Sequence, residues 1–240
     1  MLAETIMTPR MKLRVVCGLL LVCGWSDVAS GDIISFTNPS PITIRDRRPA
    51  EPYGAVINVS NVVGNIENIT VSLLGVSHQY PNDMAAVVVA PSGTSVMLFS
   101  GPGFNIPVEN LNWVFDDNAA ATLPEEGALA SGTFRPGLEQ YDENFPAPGP
   151  GGKLTDNDPT PWAFSFAPWL NQDPNGDWRL FVIDSQLADS GSISGGWSMS
   201  FQVAAVPEPA SAGLSMLSLL ALGLRRRRWR APRIPAEASL

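Results

Sequence analysis

Residues 175–201 read N-G-D-W-R-L-F-V-I-D-S-Q-L-A-D-S-G-S-I-S-G-G-W-S-M-S-F, and this stretch decides the fold. In its first part Trp178, Leu180 and Val182 alternate with Arg179, Phe181 and Ile183, the two-residue period of a β-strand. In its second part, after Ile193, the residues Trp197, Met199 and Phe201 alternate with Ser198 and Ser200. Residues 184–192 between them are polar, contain glycine, and have the length of a looped hairpin connection. The stretch is therefore expected to be the closing hairpin of a β domain, with Trp178 and Trp197 buried as its anchors.

Further back, residues 33–36 and 42–44 are short apolar pieces separated by Pro39 and Pro41, which suits edge strands. Residues 45–52 form a charged, proline-containing loop. Strand candidates follow at 55–59, 66–76, 85–90, 95–100, 111–115 and 131–135, with Ile69, Val71 and Leu73 inward in the second of them. Residues 85–90 are apolar on both faces and so are expected in a sheet interior. The turn at 91–94, P-S-G-T, places proline and glycine where a β-turn uses them. Residues 147–152, A-P-G-P-G-G, cannot be helix or central strand and are expected to form an exposed excursion. About ten short strands with no long 3.6-residue period point to an all-β chain, a jelly-roll antiparallel β-sandwich.

Composition agrees: 22 prolines and 21 glycines among 240 residues favour short strands joined by turns. The net charge of -8 is unevenly spread. Residues 31–207 hold 19 acidic and 6 basic side chains, whereas nine of the 15 basic residues lie in the two end segments. So acidic a middle argues against nucleic acid as a partner, because phosphates demand a basic surface.

The ends carry sorting information. Met11-Lys12-Leu13-Arg14 opens a basic region, the apolar run 15–23 follows, and Val28-Ala29-Ser30 offers a small-residue cleavage site. This is the layout of a secretory signal peptide over residues 1–30, with Met11 as its expected start and the Sec machinery as its carrier. Both cysteines, Cys17 and Cys23, fall within it, so the mature domain is expected to have neither disulfide nor thiol chemistry. At the other end Pro207-Glu208-Pro209 precedes a mainly apolar stretch of 15 residues (210–224) and Arg225, Arg226, Arg227 and Arg228. Spanning a bilayer takes about 20 apolar residues, so this is expected to be a short membrane helix, a marginal span unless its flanks snorkel, with a hydrophobic tail docked on its own domain as the alternative. The arginines keep their end cytoplasmic and leave the domain outside.

This C-terminal pattern resembles the PEP-CTERM sorting signal of Gram-negative bacteria. The resemblance implies recognition by an exosortase at Pro207, Glu208 and Pro209 within residues 206–230, leaving 231–240 as a tail longer than such signals usually carry. A second resemblance covers about residues 32–203, within the domain assigned to 31–205. The segments V-V-V-A-P-S-G-T (87–94), G-T-F-R-P (132–136), N-G-D-W-R-L-F-V-I-D (175–184) and G-S-I-S-G-G-W-S-M-S-F (191–201) resemble the P domain (P/Homo B) of subtilisin-like proprotein convertases. That family implies a jelly-roll sandwich that follows and stabilises a subtilisin protease domain and also occurs as an isolated module in bacterial secreted proteins. No protease domain precedes it in this sequence, so the family's serine endopeptidase label does not transfer.

Candidate chemistry is sparse. A Ser-His-Asp triad needs a histidine oriented by a carboxylate, and the one histidine, His78, lies in G-V-S-H-Q-Y-P-N-D (75–83) without a nucleophile elbow in the chain. It is expected to be a structural loop residue. No carboxylate spacing selects a glycosidase pair, although Trp113, Trp162 and Trp169 are candidate sugar platforms as well as core residues. Asp173 to Asp184 superficially resembles an EF-hand loop, but Gly176 stands at its fourth position and residues 178–183 read as strand. Along that strand Asp177 and Asp184 would be about 23 Å apart, too far to share an ion. A calcium site assembled from separate loops by Asp83, Asp116 and Asp117 is the remaining metal candidate; no other cofactor is expected.

These readings lead to an exported, non-catalytic β-sandwich module, structural or adhesive, in the cell envelope or extracellular matrix of a Gram-negative bacterium. Transient anchoring in the inner membrane and release by an exosortase are expected, with an extracellular polysaccharide or a subtilisin-like protease as partner. The alternatives are an accessory domain of such a protease and a hydrolase with an unrecognised carboxylate site.

Overall fold

The computed structural model describes residues 31–137, 143–152 and 161–204. The signal segment, Pro207, Glu208 and Pro209, and Arg225 to Arg228 lie outside the described residues. Among the described residues no helix is long and apolar enough to cross a membrane.

Among the described residues thirteen strands form: β1 (Ile33–Asn38), β2 (Ile42–Ile44), β3 (Ala55–Val59), β4 (Ile66–His78), β5 (Met84–Val89), β6 (Ser95–Ser100), β7 (Val108–Asp116), β8 (Gly132–Phe134), β9 (Asn144–Phe145), β10 (Gly151–Gly152), β11 (Gly176–Asp184), β12 (Gly191–Ile193) and β13 (Trp197–Val203). The strands predicted at 33–36, 42–44, 55–59, 66–76, 85–90, 95–100, 111–115 and 131–135 are all present, several of them longer than their apolar pattern suggests. β1 and β2 act as one edge strand broken at Pro39 and Pro41, neither of which can donate to the ladder. β12 and β13 act as one strand broken at residues 194–196. There Gly196 has φ 70° and lies so close to the Asn38 carbonyl that a Cβ would collide with it.

Counted this way there are eight principal strands. One sheet has the order β1/β2, β13/β12, β4, β7, which in sequence rank is 1-8-3-6, with β8 added in parallel beyond β7. The other is β3-β11-β5-β6, rank 2-7-4-5. Apart from β8 every pairing is antiparallel, and this interleaving of two four-stranded sheets is the jelly roll.

Residues 175–201 are therefore not a hairpin. β11 pairs with β3 and β5, while β13 pairs with β1 and β4, so residues 185–190 carry the chain from one sheet to the other. A connection of this length suits either geometry, and alternation reveals which residues face inward but not which strand lies alongside.

The inner faces meet in one core. Trp178, Leu180 and Val182 of β11, Val88 of β5 and Leu98 of β6 pack against Ile69, Val71 and Leu73 of β4, Trp113 and Phe115 of β7, and Trp197, Met199 and Phe201 of β13. The outer face of the smaller sheet is covered as well. Ala85, Val87, Met97, Phe181 and Ile183 on that face pack against Phe145 and Trp162, with Tyr53 edge-on to Phe181 at 4.9 Å. This second core explains why residues 85–90 are apolar on both faces. Residues 147–152 form the expected excursion from it: Ala147 and Pro148 are exposed, none of 149–152 is buried, and the chain returns with Gly151 and Gly152 paired to Phe145 and Asn144.

Candidate functional site

Strand β4 ends at His78, and a 3-10 turn at Pro81–Asp83 leads into β5. β11 ends at Asp184, directly across the ladder from Met84. These three strand ends bring His78, Asp83 and Asp184 together, all buried. The two His78 ring nitrogens face different partners. Nδ1 accepts the Tyr80 backbone N–H at 3.2 Å, which fixes the proton of the neutral ring on Nε2, and Nε2 faces Asp184 Oδ2 at 3.3 Å. The other Asp184 oxygen accepts the Gln186 N–H at 3.0 Å. The lone pair a general base would use is thus occupied by the backbone, which fits the structural role predicted for His78.

Asp83 feels the opposite pressure. Burial, and then the carboxylates of Asp184 and Asp189, push its carboxyl up to about 6, with His78 opposing. Its backbone carbonyl closes the turn by accepting the Ser185 N–H at 2.9 Å.

The predicted calcium trio is not brought together. Asp116 stands beside Thr70 in the ladder, whereas Asp83 follows His78, eight residues further along β4, so the ends are about 26 Å apart. Asp116 Oδ1 accepts the Asn118 backbone and side-chain N–H groups at 2.8 and 3.0 Å. Asp117 accepts the Phe166 N–H with both oxygens, at 3.0 and 2.9 Å. Burial, with the neighbouring Asp116 charge, raises the Asp117 carboxyl against that bond. Among the described residues no three His, Cys, Asp or Glu side chains are placed to hold a metal. Asp117 instead pins the segment carrying Phe166 and Trp169. Asp117→Ala is expected to lower the unfolding free energy by about 1–3 kcal/mol by stranding that N–H, with Asp117→Asn recovering part of it in urea melts.

The candidate sugar platforms are likewise taken by the core. Trp113, Trp162 and Trp169 are buried, and Trp169 Nε1 donates to Thr94 Oγ1 at 3.0 Å. Trp178 and Trp197 are buried too, as predicted.

The accessible feature beside the buried cluster is a cleft of about 400 Å³ between residues 45–48, the β11 end and the β9 segment. Arg47 and Arg48 line it with Pro49, Pro146, Ile183 and Gln186, and the carboxylates of Glu143 and Asp184 lie buried at its base. The arginine loop is braced: Arg48 N–H donates to Arg45 O at 3.2 Å, Asp46 Oδ1 accepts the Ala188 N–H at 3.0 Å, and Ala50 N–H donates to Val182 O at 3.0 Å. Arg47 at φ 49° and Ala188 at φ 90° hold left-handed conformations in the two loops so joined. Arg45 pairs with Glu51, whereas Arg47 and Arg48 are exposed and form no ion pair among the described residues. Sequence reasoning noted this loop only as charged. Its signal was that three of the six basic residues in 31–207 fall within four positions.

The cleft and the chain ends lie at opposite poles. Val203 pairs with Ile66 at the start of β4, Ala204 N–H donates to Asn65 O, and Ile33 lies across from Gln202, so both ends of the domain emerge there. The cleft adjoins the other end of β4, twelve residues or roughly 40 Å away.

No protein-family model matches the chain, and no curated protein matches it significantly. Among solved structures, a chain in the complex of Aeromonas sobria serine protease (ASP) with the chaperone ORF2 is similar at 12% identity and a TM-score of 0.36. That match covers 73% of the present chain but only 27% of the other, a likeness too slight to assign either fold or activity.

Proposed function

We propose that this chain is an exported, non-catalytic β-sandwich module that binds rather than transforms its ligand, with a structural or adhesive role at the surface of a Gram-negative cell or in its matrix. Its delivery by the Sec machinery and release by an exosortase at Pro207-Glu208-Pro209 belong to the same reading, on the strength of the sequence pattern. What supports a binding role is the pole distant from the chain ends. The groups suited to acid-base chemistry, His78, Asp83 and Asp184, are buried together at the pole that carries the cleft, while the cleft itself exposes two arginines without an ion pair among the described residues, about 40 Å from where the domain's ends emerge. A domain tethered through residue 204 would hold that cleft outward.

Mass spectrometry of the protein recovered from its host should show a new N-terminus near residue 31 and a C-terminus near Pro207. A peptide and glycan panel should show no turnover. An intact tail in a host with an active exosortase would refute the sorting step. Turnover lost on a single carboxylate substitution would refute the non-catalytic reading, and stoichiometric copurification of a subtilisin-like protease would replace the adhesive role by an accessory one.

A further inference from the structure

We propose that the cleft between residues 45–48 and the Asn144–Pro146 segment is a recognition site for acidic peptide segments, with Arg47 and Arg48 gripping carboxylates. The inference rests on the reading of this domain as a binding module and names the ligand class of its cleft.

The charge pattern is the first ground. Glu143 and Asp184 also line the cleft but are buried, whereas Arg47 and Arg48 are exposed, so against 19 acidic side chains in residues 31–207 the accessible charge of the cleft is locally reversed and favours an anionic partner. Guanidinium groups take carboxylates through paired N–H donors, and arginine clusters recognise acidic motifs in this way. Preorganisation is the second. The loop is held by the Asp46 contact to Ala188, by the Arg48 to Arg45 turn and by the left-handed Arg47, so little backbone entropy remains to be lost on binding and the cost falls on the arginine side chains.

The lining separates peptide from glycan. A sugar site is usually floored by an aromatic ring, and among the described residues none lines this cleft. Its apolar wall is made by Pro49, Pro146 and Ile183, which suit aliphatic side chains placed between acidic ones. Asn144, Ser185 and Gln186 on the rim offer hydrogen-bonding partners for a peptide backbone.

The test uses the protein purified from its host and a fluorescein-labelled decapeptide alternating glutamate and valine, followed by anisotropy at low salt. Saturable binding is expected, weakened by added salt and about tenfold or more weaker in the R47A/R48A double variant, a loss of about 1.4 kcal/mol or more. Both side chains are exposed and unpaired among the described residues, so the variant should melt like the parent. R135E, which changes net charge by the same amount at another exposed arginine, should bind like the parent. Equal binding by parent and double variant, or an equal loss in R135E, overturns the site. Binding of polygalacturonate through Arg47 and Arg48 without binding of the peptide overturns the ligand class and leaves the binding-module reading standing. Hydrolysis of the peptide would instead overturn that reading.

Discussion

Trp178→Ala is expected to lower the unfolding free energy by about 3–5 kcal/mol, the range for deleting a fully buried aromatic side chain, and so to remove much of a typical domain's 5 to 15, taken as roughly general. Trp178 belongs to β11 in the smaller sheet, yet its ring lies 5.4 Å from that of Phe201 on β13 in the larger one. It also meets Trp169 edge-on at 4.9 Å, and Trp169 stacks on Phe166 at 5.2 Å. The indole therefore bridges the two sheets and receives the segment that Asp117 pins. Its Nε1–H donates to Pro174 O at 2.8 Å, in a buried bond that binds the start of β11 to its own ring. Trp178→Phe separates the two contributions. It keeps most of the apolar contact and loses the bond, so it should cost about 1–3 kcal/mol. Denaturant titration of the three proteins checks this; an alanine variant that unfolds at the parent's midpoint would mean that the two sheets are held together elsewhere.

The two strands flanking residues 185–190 show what could be read from sequence and what could not. Alternation places Trp178, Leu180, Trp197 and Phe201 in the core, and all four are there. It did not reveal that β11 and β13 lie in different sheets, although a clue was present. The outward residues of β13 are Ser198 and Ser200, suited to solvent, whereas those of β11 include Phe181 and Ile183, which need a cover. Neighbouring strands of one sheet share their outer environment, so two such different outer faces imply two sheets. The cover itself, Phe145 and Trp162, lies in proline-rich sequence without strand periodicity, where pattern reasoning has nothing to measure. The same limit governs the site. The spacing of Asp83, Asp116 and Asp117 says nothing about the two poles they occupy, and the cleft takes residues from three separate stretches that meet only through the jelly-roll crossing.

Asp83→Asn is expected to stabilise the protein at about pH 8 by about 1–3 kcal/mol and to leave it nearly unchanged at about pH 4. The carboxyl sits at about 6 in the fold because burial, Asp184 and Asp189 all disfavour its charge, against roughly 3.9 in an unfolded chain. Between those values the folded state binds more protons than the unfolded one, so this group's contribution to stability is fully present below about pH 4 and is lost as pH rises through about 6. Two units at about 1.4 kcal/mol each set the upper bound. An asparagine cannot ionise, so the variant should lack this part of the pH dependence, and the stability difference between the two proteins isolates it from every other titrating carboxylate. Urea midpoints measured from acid to neutral pH should show the curves diverging with the variant above. A variant less stable than the parent at about pH 8 would show that the Asp83 charge is stabilised in the fold, and that its neighbours include a cation or donor in addition to His78.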